Sequence, residues 1–359
     1  MIMRVNHIRS DVFGCGNREP QAAVYHFKDL IVRYTEYDTP SGVMGFDIDD
    51  DSASVSSVRG RDTELIVPDS ISFQGADFTV SRIGRKSFLS DKYLHELSIP
   101  VSVTYIDDWA FAGCKNLRSI SMGRKVLLGN GVFKDCRLLE RVIVQDADSY
   151  YADGCPSTDG SHKTAQICRD KDTESKIAVD ASYLLAAVIR LMDNRFLFDP
   201  VNAGTKEWFA NWDRRMIFIL SEPDEEGFSA LLACGEEDYE GRDNTIEAYL
   251  ARRRRRKVRI CALRLLHDSC LSDDDRKTIS AYLYDHRAGT DSPSFWEVVL
   301  REHGDDEEYY KLMCDLGCVD ISNIDIMLDD LGQSHPGMKS YLIRFTSGSD
   351  EGFLDSMEL

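Results

Sequence analysis

Seven basic residues crowd into eight positions, Arg252 to Lys257 and Arg259. Guanidinium groups at that density could grip a phosphate, a nucleic acid or an acidic peptide. Arg252, Arg253, Arg255 and Arg256 are therefore the candidate anion-binding residues. Their setting predicts something simpler. Val258, Cys261, Ala262 and Leu265 carry an apolar helix face through the run, and Glu236, Glu237, Asp238, Glu240, Asp243 and Glu247 stand just upstream. Pairing within the chain is the expectation, with polyanion binding as an alternative and nucleic acid disfavoured.

Other chemistry-bearing patterns are weaker. Asp47, Asp49 and Asp51 imitate the start of a calcium loop, but Ser52 replaces the turn glycine and Val58 stands where a bidentate Glu belongs. An acidic turn is expected there. Cys314 and Cys318 lie one helical turn apart, yet no His or Cys pair elsewhere has zinc spacing. Gly14-Cys15-Gly16 is too short for a phosphate loop and no Lys-Ser/Thr follows it. No nucleophile elbow or catalytic cysteine signature occurs, and the eight histidines lack paired spacing. No catalytic, cofactor or metal residue is assigned, and no cofactor is expected.

The strongest pattern is an element pattern. Phe88, Phe111 and Phe133 fall 23 and 22 residues apart, and four more columns keep that spacing: Leu94/Leu117/Leu139, Leu97/Ile120/Val142, Ile99/Met122/Val144 and Ile83/Ile106/Leu128. A period in the low twenties marks a solenoid whose coils bury their apolar residues only by stacking. Leu97 and Ile99 alternate with Ser98 as in a strand with one buried face, and Pro100 ends it by removing a ladder donor. Leu65-Ile66-Val67-Pro68 repeats this text 32 residues earlier. The extra length, Ser70 to Phe78, reads as a hairpin emerging from the first coil.

The run Ile99-Pro100-Val101-Ser102-Val103, followed by Ile106-Asp107-Asp108-Trp109-Ala110-Phe111-Ala112-Gly113-Cys114-Lys115-Asn116-Leu117, resembles the BspA-like leucine-rich repeats. The resemblance covers about 80 of 359 residues, about 64–145. Ser87 and Val132 depart from it at the Ala110 position, and Leu89-Ser90-Asp91 replaces the Ala-Gly-Cys step. It implies a curved solenoid for protein or surface recognition and no catalysis; many relatives are cell-surface proteins. On such a solenoid Glu96, Ser98, Ser119, Ser121, Arg141 and Ile143 would line one exposed face. Trp109 stands at a turn position where packing does not need a large aromatic, so it either contacts a partner or folds onto the next coil.

The expected class is α+β: a short β-solenoid with N-terminal strands and a hairpin, then an all-α domain, either a bundle or a helical repeat. Expected boundaries are 1–148 for strands and repeats, 149–175 for a linker rich in Asp, Ser, Thr and Gly, 176–346 for the helices and 347–359 for a polar tail. Strands are read at Ala22–Phe27 and Leu30–Tyr37, and a hairpin at Gly45–Val58. Helix signals include Ser272 with Asp275, Ser292-Pro293, Tyr309 to Gly317, and Ser322 with Asp325. The net charge of −19 is uneven: residues 1–150 carry 18 Lys and Arg against 21 Asp and Glu, the remainder 25 against 41.

No apolar run suffices to span a bilayer, and no secretory signal is read at the N-terminus. Ten cysteines that sit mostly at core positions suggest reduced thiols and a cytoplasmic, bacterial setting. The functional expectation is a non-catalytic protein–protein interaction module or scaffold with an unidentified protein partner. An enzyme or effector activity in the helical half, targeted by the repeats, is the alternative.

Overall fold

The computed structural model describes residues 23–27, 30–146, 176–192, 194, 196–229 and 245–355, with side chains from 33 to 347. Gly14-Cys15-Gly16, the 149–175 linker and Glu236 to Asp243 lie outside the described residues. An antiparallel meander comes first: β1 (Ala23–Phe27), β2 (Leu30–Thr39), β3 (Gly42–Ile48) and β4 (Ser52–Arg59). Met44, Phe46 and Ile48 alternate into its core, and Asp49 to Asp51 form the β3–β4 turn, where the Asp49 N–H donates to the Ser52 carbonyl at 2.9 Å.

The solenoid opens with β5 (Glu64–Ile66) and a hairpin, β6 (Ser70–Phe73) and β7 (Ala76–Ile83). Later coils contribute β8 (Glu96–Ser98), β9 (Tyr105–Ile106), β10 (Ser119–Gly123), β11 (Leu127–Leu128) and β12 (Arg141–Gln145). One side is a parallel sheet in the order β12-β10-β8-β5. The other side stacks β7, β9 and β11 and continues through β4 into the meander. The expected hairpin therefore does more than protrude: β7 joins the N-terminal strands to the coils by parallel pairing with both β4 and β9. Gly84 ends that junction because a Cβ there would sit 2.6 Å from the Val55 carbonyl oxygen.

Turn segments close the third side, and their backbones also pair between coils. Phe88 N–H donates to Ala110, Phe111 to Val132 and Gly113 to Lys134, at 2.8–3.0 Å. Each coil uses two left-handed residues there: Lys86, Trp109 and Gly131 in one column, Ser90, Gly113 and Asp135 in the other. Inside, Phe88, Phe111 and Phe133 form a ladder with centroids 5.0 and 5.6 Å apart. Cys114 and Cys136 donate their thiols to the Phe88 and Phe111 carbonyls of the preceding coil. Burial pushes both thiols up to about 12, so they act as small core groups.

Eight helices follow among the described residues. They are α1 (Lys176–Ala187, widening to a π turn over Val188–Met192), α2 (Lys206–Ser221), α3 (Ile246–Leu266), α4 (Asp273–Asp285), α5 (Ser294–Glu302), α6 (Glu307–Asp315), α7 (Ile324–Leu331) and α8 (Pro336–Asp355). The long α3 packs against α1, α2, α4, α5 and α6. That is a bundle around a central helix, not the successive stacking of a helical repeat. Ser272 caps α4 as its spacing predicts, and α6 ends in a Schellman motif: Cys318 N–H to Met313, Gly317 N–H to Cys314.

Two cap expectations fail. Ser292 does not cap α5, because its hydroxyl is engaged with Ser294 and Arg254. Ser322 bonds Asp320 instead, and Asn323 opens α7 while its amide donates to the Ala288 and Cys318 carbonyls. The polar stretch from Ser347 also continues α8, with the Ser347 hydroxyl donating to the Ile343 carbonyl.

Candidate functional site

The parallel sheet sets its outward residues in rows. Glu64, Glu96, Ser119 and Arg141 stand in one row, Ile66, Ser98, Ser121 and Ile143 in the next. Between them Leu65, Leu97, Ile120 and Val142 point inward and are buried. Hydrogen bonding along the second row is direct, with the Ser121 hydroxyl donating to Ser98 at 3.0 Å. The sequence-derived surface residues are therefore neighbours on one face.

One end of that face already has an occupant. Helix α1 packs on β12; Arg141 reaches the Ser182 hydroxyl at 3.4 Å and lies over the Tyr183 ring at 5.2 Å. Further contacts join the two halves. Arg190 donates to the Leu139 carbonyl at 3.1 Å, and the Arg124 guanidinium donates to the Pro200 and Val201 carbonyls while pairing with Asp146. The phenylalanine ladder also continues across the junction, from Phe133 to Phe198 at 6.0 Å. Arg141 is thus a residue of the internal junction.

Trp109 lies on a different side, at the turn edge. It is 39 % exposed with φ of 62°, and the ammonium groups of Lys86 and Lys134 both sit 5.5 Å from its ring centroid. A column at the coil period contains Lys86, Trp109 and Gly131, a signal that was readable from the spacing but not from Trp109 alone.

The arginine run is held inside the helical half. Arg253 pairs with Glu222, Arg254 and Lys257 with Asp224, Arg255 with Glu297 and Arg259 with Glu302. Arg256 donates to the Leu191 carbonyl, and Arg252 is also engaged. Internal pairing is as expected for these residues; their partners come from just past the end of α2 and from α5, and the acidic stretch from Glu236 to Asp243 lies outside the described residues.

A cleft of about 1600 Å³ separates the last coils from the helices. His267, His303 and His335 converge on it from three parts of the chain, with Tyr309, Arg190 and Glu302. His303 stacks on Tyr309 with centroids 3.6 Å apart, and burial holds it below the usual imidazole range despite the pull of Asp306 and Glu302. Burial likewise pushes the Tyr309 phenol up. Local spacing carried no signal for this convergence. Among the lining residues the lone Ser, Thr or Cys is Cys136, whose thiol is bound to Phe111 and pushed up to about 12. The cleft therefore gathers imidazole, carboxylate, phenol and guanidinium groups.

Residues 69–169 match the family model described as BspA type leucine rich repeat region, in six copies. The repeats are of that type, and the match ends before the described helices. Among solved structures, the chain is similar to a leucine rich cell surface protein from Faecalibacterium prausnitzii A2-165, at 24% identity and TM-score 0.26 over 32% of this chain and 33% of that one. A leucine-rich repeat protein from Bacteroides capillosus ATCC 29799 matches at 22% identity and TM-score 0.27, over 29% and 78%. The T. pallidum leucine rich repeat protein matches at 21% and 0.26, over 30% and 52%. The chain spans about a third of the length of the first of these. No curated protein matches.

Proposed function

We propose that the chain is a non-catalytic protein–protein interaction module that binds through the outward face of its parallel sheet. The repeat type suggests an interaction or adhesion module. The observation that carries the reading is the two in-register rows on β5, β8 and β10, Glu64/Glu96/Ser119 and Ile66/Ser98/Ser121. A stacked backbone holds them rigidly, so little ordering entropy opposes binding. The helical half closes the far end of the solenoid through Arg124, Arg141, Arg190 and Phe198, while Glu64 and Ile66 at the near end of the face are exposed. The six described cysteines are free, which supports a proposed reducing, cytoplasmic setting. No described helix is long and apolar enough to cross a membrane.

Affinity capture with the full chain should recover a stoichiometric partner. Ser98→Arg with Ser121→Arg should release it, while Lys125→Glu, outside the face, should not. Recovery unchanged by the paired substitution would reject the sheet face as the contact surface.

A further inference from the structure

We propose that the turn edge of the solenoid, centred on Trp109, is a docking surface for a short acidic segment of a partner polypeptide. This deepens the interaction reading by naming the chemistry of a partner contact outside the sheet face.

The charges of the coils divide in part by type. Arg82 pairs with Asp107, Arg118 with Glu140 and Arg124 with Asp146, whereas Arg85 joins the lysines in making no ion pair among the described residues. Lys86, Lys92, Lys115 and Lys134 are exposed on the stacked turns and make no ion pair or side-chain hydrogen bond among the described residues. Residues 85–141 hold ten Lys and Arg against six Asp and Glu in a chain of net charge −19. A basic edge reduces the net charge that keeps such a chain soluble, so solubility does not account for it.

The indole supplies a second observation. Gly131 takes the same left-handed position one coil on, so the coil geometry demands that backbone, and Trp109 adopts it against its own steric preference. A large aromatic kept in a strained, exposed position is a mark of a recognition site. Lys86 comes from the coil before and Lys134 from the coil after. Each lies 5.5 Å from the ring centroid, so the two ammoniums are at most about 11 Å apart. Carboxylates two or three residues apart in an extended segment span roughly 7–10 Å, which matches that reach. The edge is only three coils wide, and at its far end Phe198 of the acidic helical half packs on Phe133. A long polyanion would meet repulsion beyond the edge, whereas a short acidic segment would not.

The test is fluorescence anisotropy of the full chain with a labelled peptide of alternating Glu and Ser, with a sulfated polysaccharide in a parallel arm. Binding should appear at ~50 mM salt and weaken steeply by ~200 mM. Lys86→Glu with Lys134→Glu should lower affinity about tenfold or more. Trp109→Gly, which suits the backbone, should lower it several-fold, and Lys125→Glu should leave it unchanged. Absence of peptide binding at low salt, equal affinity in the double lysine variant, or binding of the polysaccharide alone would overturn the proposal. If partner capture persists while peptide binding is absent, this proposal falls and the sheet-face reading stands.

Discussion

Trp109 and Arg264 show two ways a single residue is held against its preference. Trp109 takes a left-handed backbone that glycine takes one coil later. Trp109→Gly removes that strain together with the indole contacts, whereas Trp109→Ala removes the contacts and keeps the strain. Urea unfolding should therefore find the Gly variant about 1 kcal/mol more stable than the Ala variant; the reverse order would show that the strain is not felt. Arg264 is fully buried, with Nε 2.6 Å from Asp213 Oδ1 and Nη2 3.1 Å from Oδ2. Nη1 and Nη2 also donate to the His267 and Ser269 carbonyls. A guanidinium with all three nitrogens engaged and a carboxylate beside it tolerates burial. The coil period marks the Trp109 position, since Gly131 stands one coil on, whereas no spacing marks Arg264 as buried, because its partner Asp213 lies 51 residues away in the chain.

At the scale of elements, α3 is central because its apolar face and its charged face are both satisfied. Val258, Cys261 and Ala262 are fully buried, while Arg254 and Lys257 converge on Asp224. Burial pushes the Asp224 carboxyl up, but the hydrogen bonds of Lys257 and Arg254 outweigh it and hold it below its usual range. Asp268 follows the same pattern through Lys176 and Arg276, and Glu302 through Arg259. For carboxylates lowered on folding, the stabilisation is complete above the ordinary carboxylate range and disappears as pH falls through the folded values. The melting temperature should stay level above about pH 5 and fall below it. Asp224→Asn should lower the plateau and flatten that acid limb. An unchanged acid slope in this variant would remove Asp224 from the account. The apolar face of α3 was legible in the sequence at Val258, Cys261, Ala262 and Leu265; the partners of its arginines were not, since Glu222, Asp224, Glu297 and Glu302 lie about 30–45 residues away in the chain.

For the whole molecule, the decisive feature is how the solenoid ends. The meander continues one side through β4 and β7, and the helical half covers β12. An uncovered end would present unpaired strand edges and apolar rungs to other copies. A fragment ending at residue 175 should therefore associate or melt well below the full chain, measurable by light scattering and circular dichroism. A monomeric fragment with the full chain's melting profile would show that the helices do not support the coils.

The sequence was sufficient for the coils. Their apolar columns recur at 23 and 22 residues, and a stacked repeat buries each residue against its own equivalent, so period alone specifies the contact. Strand ends at Pro68 and Pro100 and the Schellman end at Gly317 were equally local. Tertiary structure alone decided which surface remains exposed. It engaged Arg141 with α1, paired the arginine run internally, and gathered His267, His303 and His335 into one cleft. Those outcomes depend on contacts between distant segments, and no local spacing encodes which distant partner a charge or an exposed strand will find.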